Sequence, residues 1–311
     1  MEHRARHLRG QGRRRRLPVP QLLIAVGLVL CLAPVVSNLY WQQVAHENVS
    51  SFTSTAEAID PETKKHLLAQ ARAYNARLGG YEDQWANEVL AGEEVWEYDD
   101  QLSIDGDQAI GWVEVPKCGI EMTVYHGVGE PALSSGVGHQ PETSLPVGGE
   151  RSHCYLTGHS GMRQFRVFDG IRALEVGDVF AVHVLGDTYA YRVTGWEIVD
   201  PDGVDVAPGD GDLCTLVTCT TSPDPWNPKG RIGINDKRLL VHGERCEYDP
   251  SEFEDAEASP AASVYVNDNT RPALIAAALL ALTGLALLGT RVVRRLRRRS
   301  ETRREEHRRE Q

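Results

Sequence analysis

The sequence predicts a mainly β fold: a closed barrel or sandwich of many short strands, carried on a helical N-terminal region and flanked by two apolar segments. Three observations point there. Between Ala109 and Gly243, short β-branched and aromatic runs recur with turn residues between them and little helical pattern. Leu17 to Ala45 and Pro272 to Thr290 carry no Asp, Glu, Lys or Arg, and each is about long enough to cross a bilayer as a helix. Both chain ends are basic, with seven Arg against one Glu in residues 1–20 and ten Arg against four Glu in residues 291–311, although the 311-residue chain carries −11 overall.

Positive flanks stay cytoplasmic. The expected organisation is a basic tail over 1–20, a transmembrane helix over 21–41, a helical region over 42–108, a β domain over 109–247, an acidic linker over 248–271, a second transmembrane helix over 272–290 and a basic tail over 291–311. Both termini are then cytoplasmic and the acidic middle is extracellular. A cleaved signal peptide is the alternative for the first span, but its length and the interfacial pair Tyr40–Trp41 favour a retained anchor. Beside membrane spans the basic tails act as topology signals, so no nucleic-acid partner is expected.

Within the middle, Glu57 to Leu78 predicts a helix, with Asp60 as N-cap, Pro61 at the first position and Gly79-Gly80 as the stop. It serves as a stalk. Tyr81 to Asp107 is acidic and predicts a surface loop with a short helix near Asn87–Leu90. Strands follow at Ile110–Val115 and Glu121–His126, then a Gly-, Ser- and Pro-rich connection over Gly127–Gly149. Ser152–Thr157 is a strand ending at Gly158-His159-Ser160-Gly161, and Gln164–Leu174 has a helical pattern. Asp178–Leu185 and Thr188–Val199 flank Gly186-Asp187, a two-residue hairpin signal. Leu213–Cys219 and Lys237–Gly243 complete the set.

Reactive side chains sit at three strand ends. Cys219 closes Thr215-Leu216-Val217-Thr218-Cys219-Thr220, after which Pro223, Pro225 and Pro228 exclude a strand. A thiol there is held by a rigid element yet open to a substrate; the plainer alternative is a small core hydrophobe. His159 follows its strand, and Arg238 opens Arg238-Leu239-Leu240-Val241. An imidazolium lowers a neighbouring thiol's pKa and can protonate a leaving amine, and a guanidinium can hydrogen-bond an oxyanion. None of the six cysteines forms a C-x-x-C pair, so neither zinc nor a thioredoxin-like motif is signalled and no metal is expected. If the strands holding Cys219 and Arg238 pair antiparallel, Cys214 comes near residue 243, which raises a Cys214–Cys246 disulfide; two free thiols are the alternative.

Taken together these segments resemble the sortase family. The cysteine stretch resembles its catalytic signature, Leu156-Thr157-Gly158-His159 its histidine segment, and Asn235-Asp236-Lys237-Arg238-Leu239-Leu240-Val241 its arginine strand. Gly111-Trp112-Val113-Glu114-Val115-Pro116-Lys117, Tyr125-His126-Gly127, Gly136-Val137-Gly138-His139 and Ser144-Leu145-Pro146-Val147-Gly148-Gly149 resemble the class C, pilin-polymerising branch. The resemblance covers roughly Tyr74 to Arg245. It implies an eight-stranded sortase β-barrel and a cysteine transpeptidase that needs no cofactor. Cys219 cleaves an LPXTG-type sorting signal at Thr–Gly through a thioester, His159 is acid and base, and Arg238, rather than Arg231, positions the substrate or stabilises the oxyanion. A pilin lysine is the expected acceptor. A housekeeping sortase attaching proteins to lipid II is the alternative, with a non-catalytic binding protein behind it.

The sequence departs from the class C pattern in two places. That branch covers its site with an N-terminal lid carrying Asp-Pro-aromatic, whose carboxylate pairs with the catalytic arginine and whose ring packs by the cysteine. The best match here is Asp83-Gln84-Trp85, so Asp83 and Trp85 are the expected lid anchors, in a turn made less rigid by Gln84. The loop from Thr221 to Asn235 is also longer than expected and carries Trp226.

Overall fold

In the computed structural model, the β-branched runs form eight strands: β1 (Ala109–Val115), β2 (Ile120–His126), β3 (Val137–His139), β4 (Ser152–Gly158), β5 (Val179–Val184), β6 (Asp187–Val199), β7 (Asp212–Thr220) and β8 (Lys237–Arg245). The structure describes residues 19–95, 97–104, 108–162, 166–206, 209–231, 235–257 and 270–309. The strands close into a barrel in the order β1-β2-β3-β4-β7-β8-β6-β5. β2 with β3 and β4 with β7 are parallel; every other neighbour is antiparallel. The expected eight-stranded barrel is present. Side-chain alternation sends Leu156, Phe180, Tyr191, Leu216 and Leu239 into its interior, all fully buried. Each such side chain stabilises the fold by roughly 1.5–3 kcal/mol.

The first two helices pack on this barrel, the first of them through residues 36–58, the part that belongs to the barrel unit. Helix α1 spans Val19–Ala58 and α2 spans Pro61–Gly79. Asp60 caps α2 by accepting from the Thr63 amide at 3.0 Å, and Gly80 ends it in the left-handed region at φ 67°. The stalk expected here is instead a wall of the barrel. Leu67, Ala71 and Tyr74 join the main core. Buried Asn75 donates to the Leu145 and Gly148 carbonyls at 2.9 and 3.0 Å and accepts from the Leu145 amide at 2.7 Å. A helix with that many buried contacts cannot serve as a free spacer. Helix α3 (Gln84–Leu90) packs on α2, near the short helix the sequence predicts. Between β2 and β3 lies the one-turn α4 (Glu130–Leu133). Where a helix was expected over Gln164–Leu174, a 3-10 turn covers only Asp169–Ala173; residues 163–165 lie outside the described set.

Beyond β8, α5 (Pro250–Glu257) lies on β5, and α6 spans Thr270–Arg309. The chain forms two units, residues 36–267 and residues 1–35 with 268–311. Among the described residues, Leu274–Arg294 is the one stretch long and apolar enough to cross a membrane; the apolar run inside α1, Leu22–Ala33, is shorter.

Candidate active site

The site is set by one parallel pair. β4 and β7 run side by side from Ser152 opposite Asp212 to Gly158 opposite Thr218. Gly158 ends β4, so His159 leaves the barrel beside Cys219, the next residue of β7. Only glycine fits at 158, because a Cβ there meets the Phe168 ring at 2.6 Å. The Thr218 hydroxyl donates to the Gly158 carbonyl at 2.7 Å and ties the two strand ends together. On the other side of β7, Cys219 lies opposite Arg238 in the antiparallel register with β8. The structure therefore brings His159, Cys219 and Arg238 to one pole of the barrel.

Alternation decides which face they share. Cys214 and Leu216 point inward, so Val217 and Cys219 point outward, as do Arg238 and Leu240. The outward face is not bare. Tyr155, Val217 and Leu240 form an apolar floor, roofed by Val199 at the end of β6 and by Val204 and Val206 from the β6–β7 connection. The Tyr155 hydroxyl donates to the Asp205 carbonyl at 2.8 Å and holds the roof to the floor. Cys219 and Arg238, both half-buried, stand at the open end of this slot. Arg238 donates only to main-chain carbonyls, Lys237 at 3.1 Å and Asn235 at 3.4 Å. Among the described residues no carboxylate lies within ion-pair distance of it, so its charge is available to a developing oxyanion. Arg231 is the more exposed arginine and is engaged with Asp224 at 2.9 Å.

Two further residues grip the nucleophile's backbone. The Ser160 hydroxyl and the Arg172 guanidinium both donate to the Cys219 carbonyl, at 2.6 and 2.5 Å. Ser160 is buried, next in sequence to His159, so one short segment carries both the histidine and a tether to the cysteine. Sequence reasoning passed over both. Ser160 was within reach, since it adjoins His159. Arg172 gave no signal, because the 3-10 turn that delivers it cannot be inferred from local pattern. Asp169, beside them, accepts from the Gly161 amide at 2.9 Å, and burial pushes its carboxyl above the usual range.

The expected lid anchors are not at this site. Asp83 caps α3, accepting from the Ala86 amide at 2.9 Å, and its other oxygen pairs with Arg72 at 2.8 Å. The Arg72 guanidinium also lies over the Trp85 ring, 5.0 Å from its centroid. Tyr81, two residues before Asp83, meets Gly149, which precedes β4, so this cluster sits at the opposite pole from Cys219. The carboxylate's two oxygens are thus committed to α2 and α3, and neither reaches Arg238.

The expected Cys214–Cys246 disulfide is also absent; both are free thiols. Cys214 does face Gly243, as antiparallel pairing requires, but its side chain lies inside the barrel. Cys246 packs outside, with Val179, Ala181, Ala190 and Phe253. The barrel wall separates them. The inward neighbour of Cys214 is instead Cys154, directly opposite on β4, and burial holds that thiol well above its ordinary pKa.

His126 and His139, in segments that resembled the family without an assigned role, face each other across β2 and β3. His139 is fully buried and accepts from the Tyr98 hydroxyl at 2.9 Å through Nδ1, while Nε2 donates to the Ser144 carbonyl at 2.8 Å. Burial pulls its pKa down to about 4.

Comparison with known proteins agrees with this geometry. The sortase-domain family matches residues 113–246. Sortase A of Bacillus anthracis is 30% identical over 143 residues, which is 46% of this chain and 62% of that protein, so the chain spans somewhat less than two thirds of this curated relative. Among solved structures, Clostridium perfringens sortase C with the C-terminal cell wall sorting motif is 32% identical, with a TM-score of 0.54, covering 66% of this chain and 100% of that one. A lid mutant of Streptococcus agalactiae sortase C1 is 33% identical, also with a TM-score of 0.54, covering 65% and 99%. With the closed barrel, the His–Cys–Arg order and these matches in agreement, the chain belongs to the sortase family of cysteine transpeptidases.

Proposed function

We propose that this chain is a membrane-held class C sortase that joins pilin subunits through isopeptide bonds. The observation that carries the reading is the register pairing Cys219 with Arg238 beside the end of β4. The Cys219 thiolate attacks the Thr–Gly carbonyl of an LPXTG-type signal lying in the slot over Tyr155, Val217 and Leu240. Arg238 hydrogen-bonds the oxyanion. His159 gives its proton to the departing glycine amine, leaving a thioester on Cys219. A pilin lysine amine then attacks, His159 takes its proton, and the thiolate leaves as the isopeptide bond forms. Support for the pilin branch comes from the class C structures among the neighbours, one of them holding a sorting motif. The apolar helix Leu274–Arg294 and the run at Leu22–Ala33 support anchoring, with the barrel on the extracytoplasmic side.

The test is intact-mass spectrometry of the protein after incubation with an LPXTG-type peptide, followed by a lysine-bearing pilin peptide or a lipid II amine mimic. The expected result is an acyl adduct lost in Cys219→Ala and discharged by the pilin lysine. Discharge by the lipid II mimic alone points to a housekeeping enzyme. No adduct with any sorting peptide removes the transpeptidase reading and leaves a binding protein on this fold.

A further inference from the structure

Within the barrel unit, the start of α1 and the C-terminal helix α5 both pack at the pole that carries Cys219. Strand β1 runs toward that pole and β2 away from it, so the turn between them, Pro116–Gly119, lies there. Within the barrel unit, α1 begins beside this turn: Gln42, Ala45 and His46 line a cavity of about 250 Å³ with Cys118 and Gly170, and His46 Nδ1 lies 3.3 Å from Glu121. Farther along, Phe52 and Ala56 sit with Leu185 and Gly186 at the opposite pole. At the other terminus, α5 packs against β5 and the same Pro116–Cys118 turn. In sequence, Val36–Tyr40 is the tail of the first apolar segment, and the second follows α5 by a short linker.

The same pole presents large apolar side chains to solvent. Trp226, in the β7–β8 connection directly after Cys219, is 88% exposed, and Val176 is 68% exposed. Lys229 ties that connection down by donating to the Leu174 carbonyl, while the Asp224–Arg231 pair braces its tip. An 88% exposed tryptophan on a braced loop is an unusual surface feature, and indole rings favour the membrane–water interface.

We propose that the Cys219 pole of the barrel docks on the lipid bilayer, with Trp226 seated in the headgroup region, so that the enzyme works on sorting signals held at the membrane surface. The inference rests on the anchoring described above. It follows from α1 beginning its path along the barrel unit at this pole and from α5, the last described helix before the second apolar segment, packing there, and Trp226 is the most exposed large apolar side chain at that pole. Bilayer docking also gives the long proline-rich loop a role that catalysis in solution does not require.

The test uses the full-length chain in phosphatidylcholine–phosphatidylglycerol vesicles, with and without brominated acyl chains, and reads tryptophan quenching in wild type, Trp226→Phe and Trp85→Phe. Trp85 lies at the opposite pole and serves as the control. Expected is strong quenching that falls in Trp226→Phe and persists in Trp85→Phe. In parallel, Trp226→Ala lowers turnover of a vesicle-tethered LPXTG peptide about three- to tenfold while sparing the soluble peptide. Quenching unchanged in Trp226→Phe overturns the docking. An equal loss of turnover on tethered and soluble peptides also overturns it and assigns the loop to a protein partner. A chain that does not float with vesicles removes the anchoring, and the docking with it, while leaving the acyl-enzyme chemistry standing.

Discussion

Acidification should unfold this protein partly through one histidine. His139 has its Nδ1 filled by the Tyr98 hydroxyl, and its Nε2 proton goes to Ser144, whose carbonyl can only accept. That pair of contacts sets the neutral Nε2–H form, and a second ring proton requires the Tyr98 hydroxyl to turn its own proton to the His139 carbonyl, 3.2 Å away, while burial opposes the added charge. With a folded pKa of about 4 against an ordinary 6.5, the unfolded chain binds the proton first as pH falls. The neutral ring's contribution is complete above pH 6.5 and is lost as pH falls toward 4. At about 1.4 kcal/mol per pKa unit, the loss approaches roughly 3 kcal/mol. Buried Asp169 and Asp212, whose carboxyls are raised by burial, titrate in the opposite sense, so the effect must be read as a difference. Urea unfolding of wild type and His139→Gln at pH 7.5 and pH 4 supplies it. The wild type should lose about 3 kcal/mol more than the variant over that interval. Parallel losses, equal within about 0.5 kcal/mol, refute the assignment of this sensitivity to His139.

Three further perturbations probe the site's supports. Asp83→Ala removes the α3 cap and the Arg72 partner, costing about 1–3 kcal/mol in thermal or urea unfolding, yet it leaves the rate of Cys219 alkylation by iodoacetamide unchanged; faster alkylation would restore Asp83 as a lid anchor. Ser160→Ala lowers kcat about fivefold, and Arg172→Gln about tenfold or more, with KM nearly constant, since each loses a hydrogen bond to the Cys219 carbonyl; a rise in KM with constant kcat contradicts that positioning role. Gly158→Ala forces a methyl into Phe168 and destabilises the fold by about 1–3 kcal/mol, visible as a lowered urea midpoint.

The barrel was legible because its strands carry their own signals. Period-two alternation, the Gly186-Asp187 turn and the proline-rich stop after Thr220 are local, and local signals survive without tertiary context. His159, Cys219 and Arg238 each sit at a strand end, a weak signal singly, and were picked out together because the segments around them resemble the sortase motifs. The misses share another cause. Asp83 was assigned by motif likeness, when an acidic residue just before a short helix is also an N-cap, and that local role won. Cys214 and Cys246 were matched by register alone; register fixes height along the barrel but not the side of the wall. Helix α2 passed for a stalk because, apart from Leu67 and Tyr74, its buried side is Ala, Gly, Gln and Asn, which carry little hydrophobic signal. Arg172 depends on a fold-back of the chain that no sequence period records.

Every partner pair along β4 and β7 is 60 positions apart, from Ser152–Asp212 to Gly158–Thr218. The chemistry is therefore timed by a ladder rather than by a loop. The connection between Val199 and Asp212, which roofs the slot, hangs outside that ladder and is pinned to the floor mainly through Tyr155. It can be exchanged for a segment of different length or composition without moving the nucleophile relative to its acid. A single-residue deletion inside β7, by contrast, turns Cys219 to the wrong face. A barrel built this way can acquire new substrates by changing its roof while its reaction stays fixed.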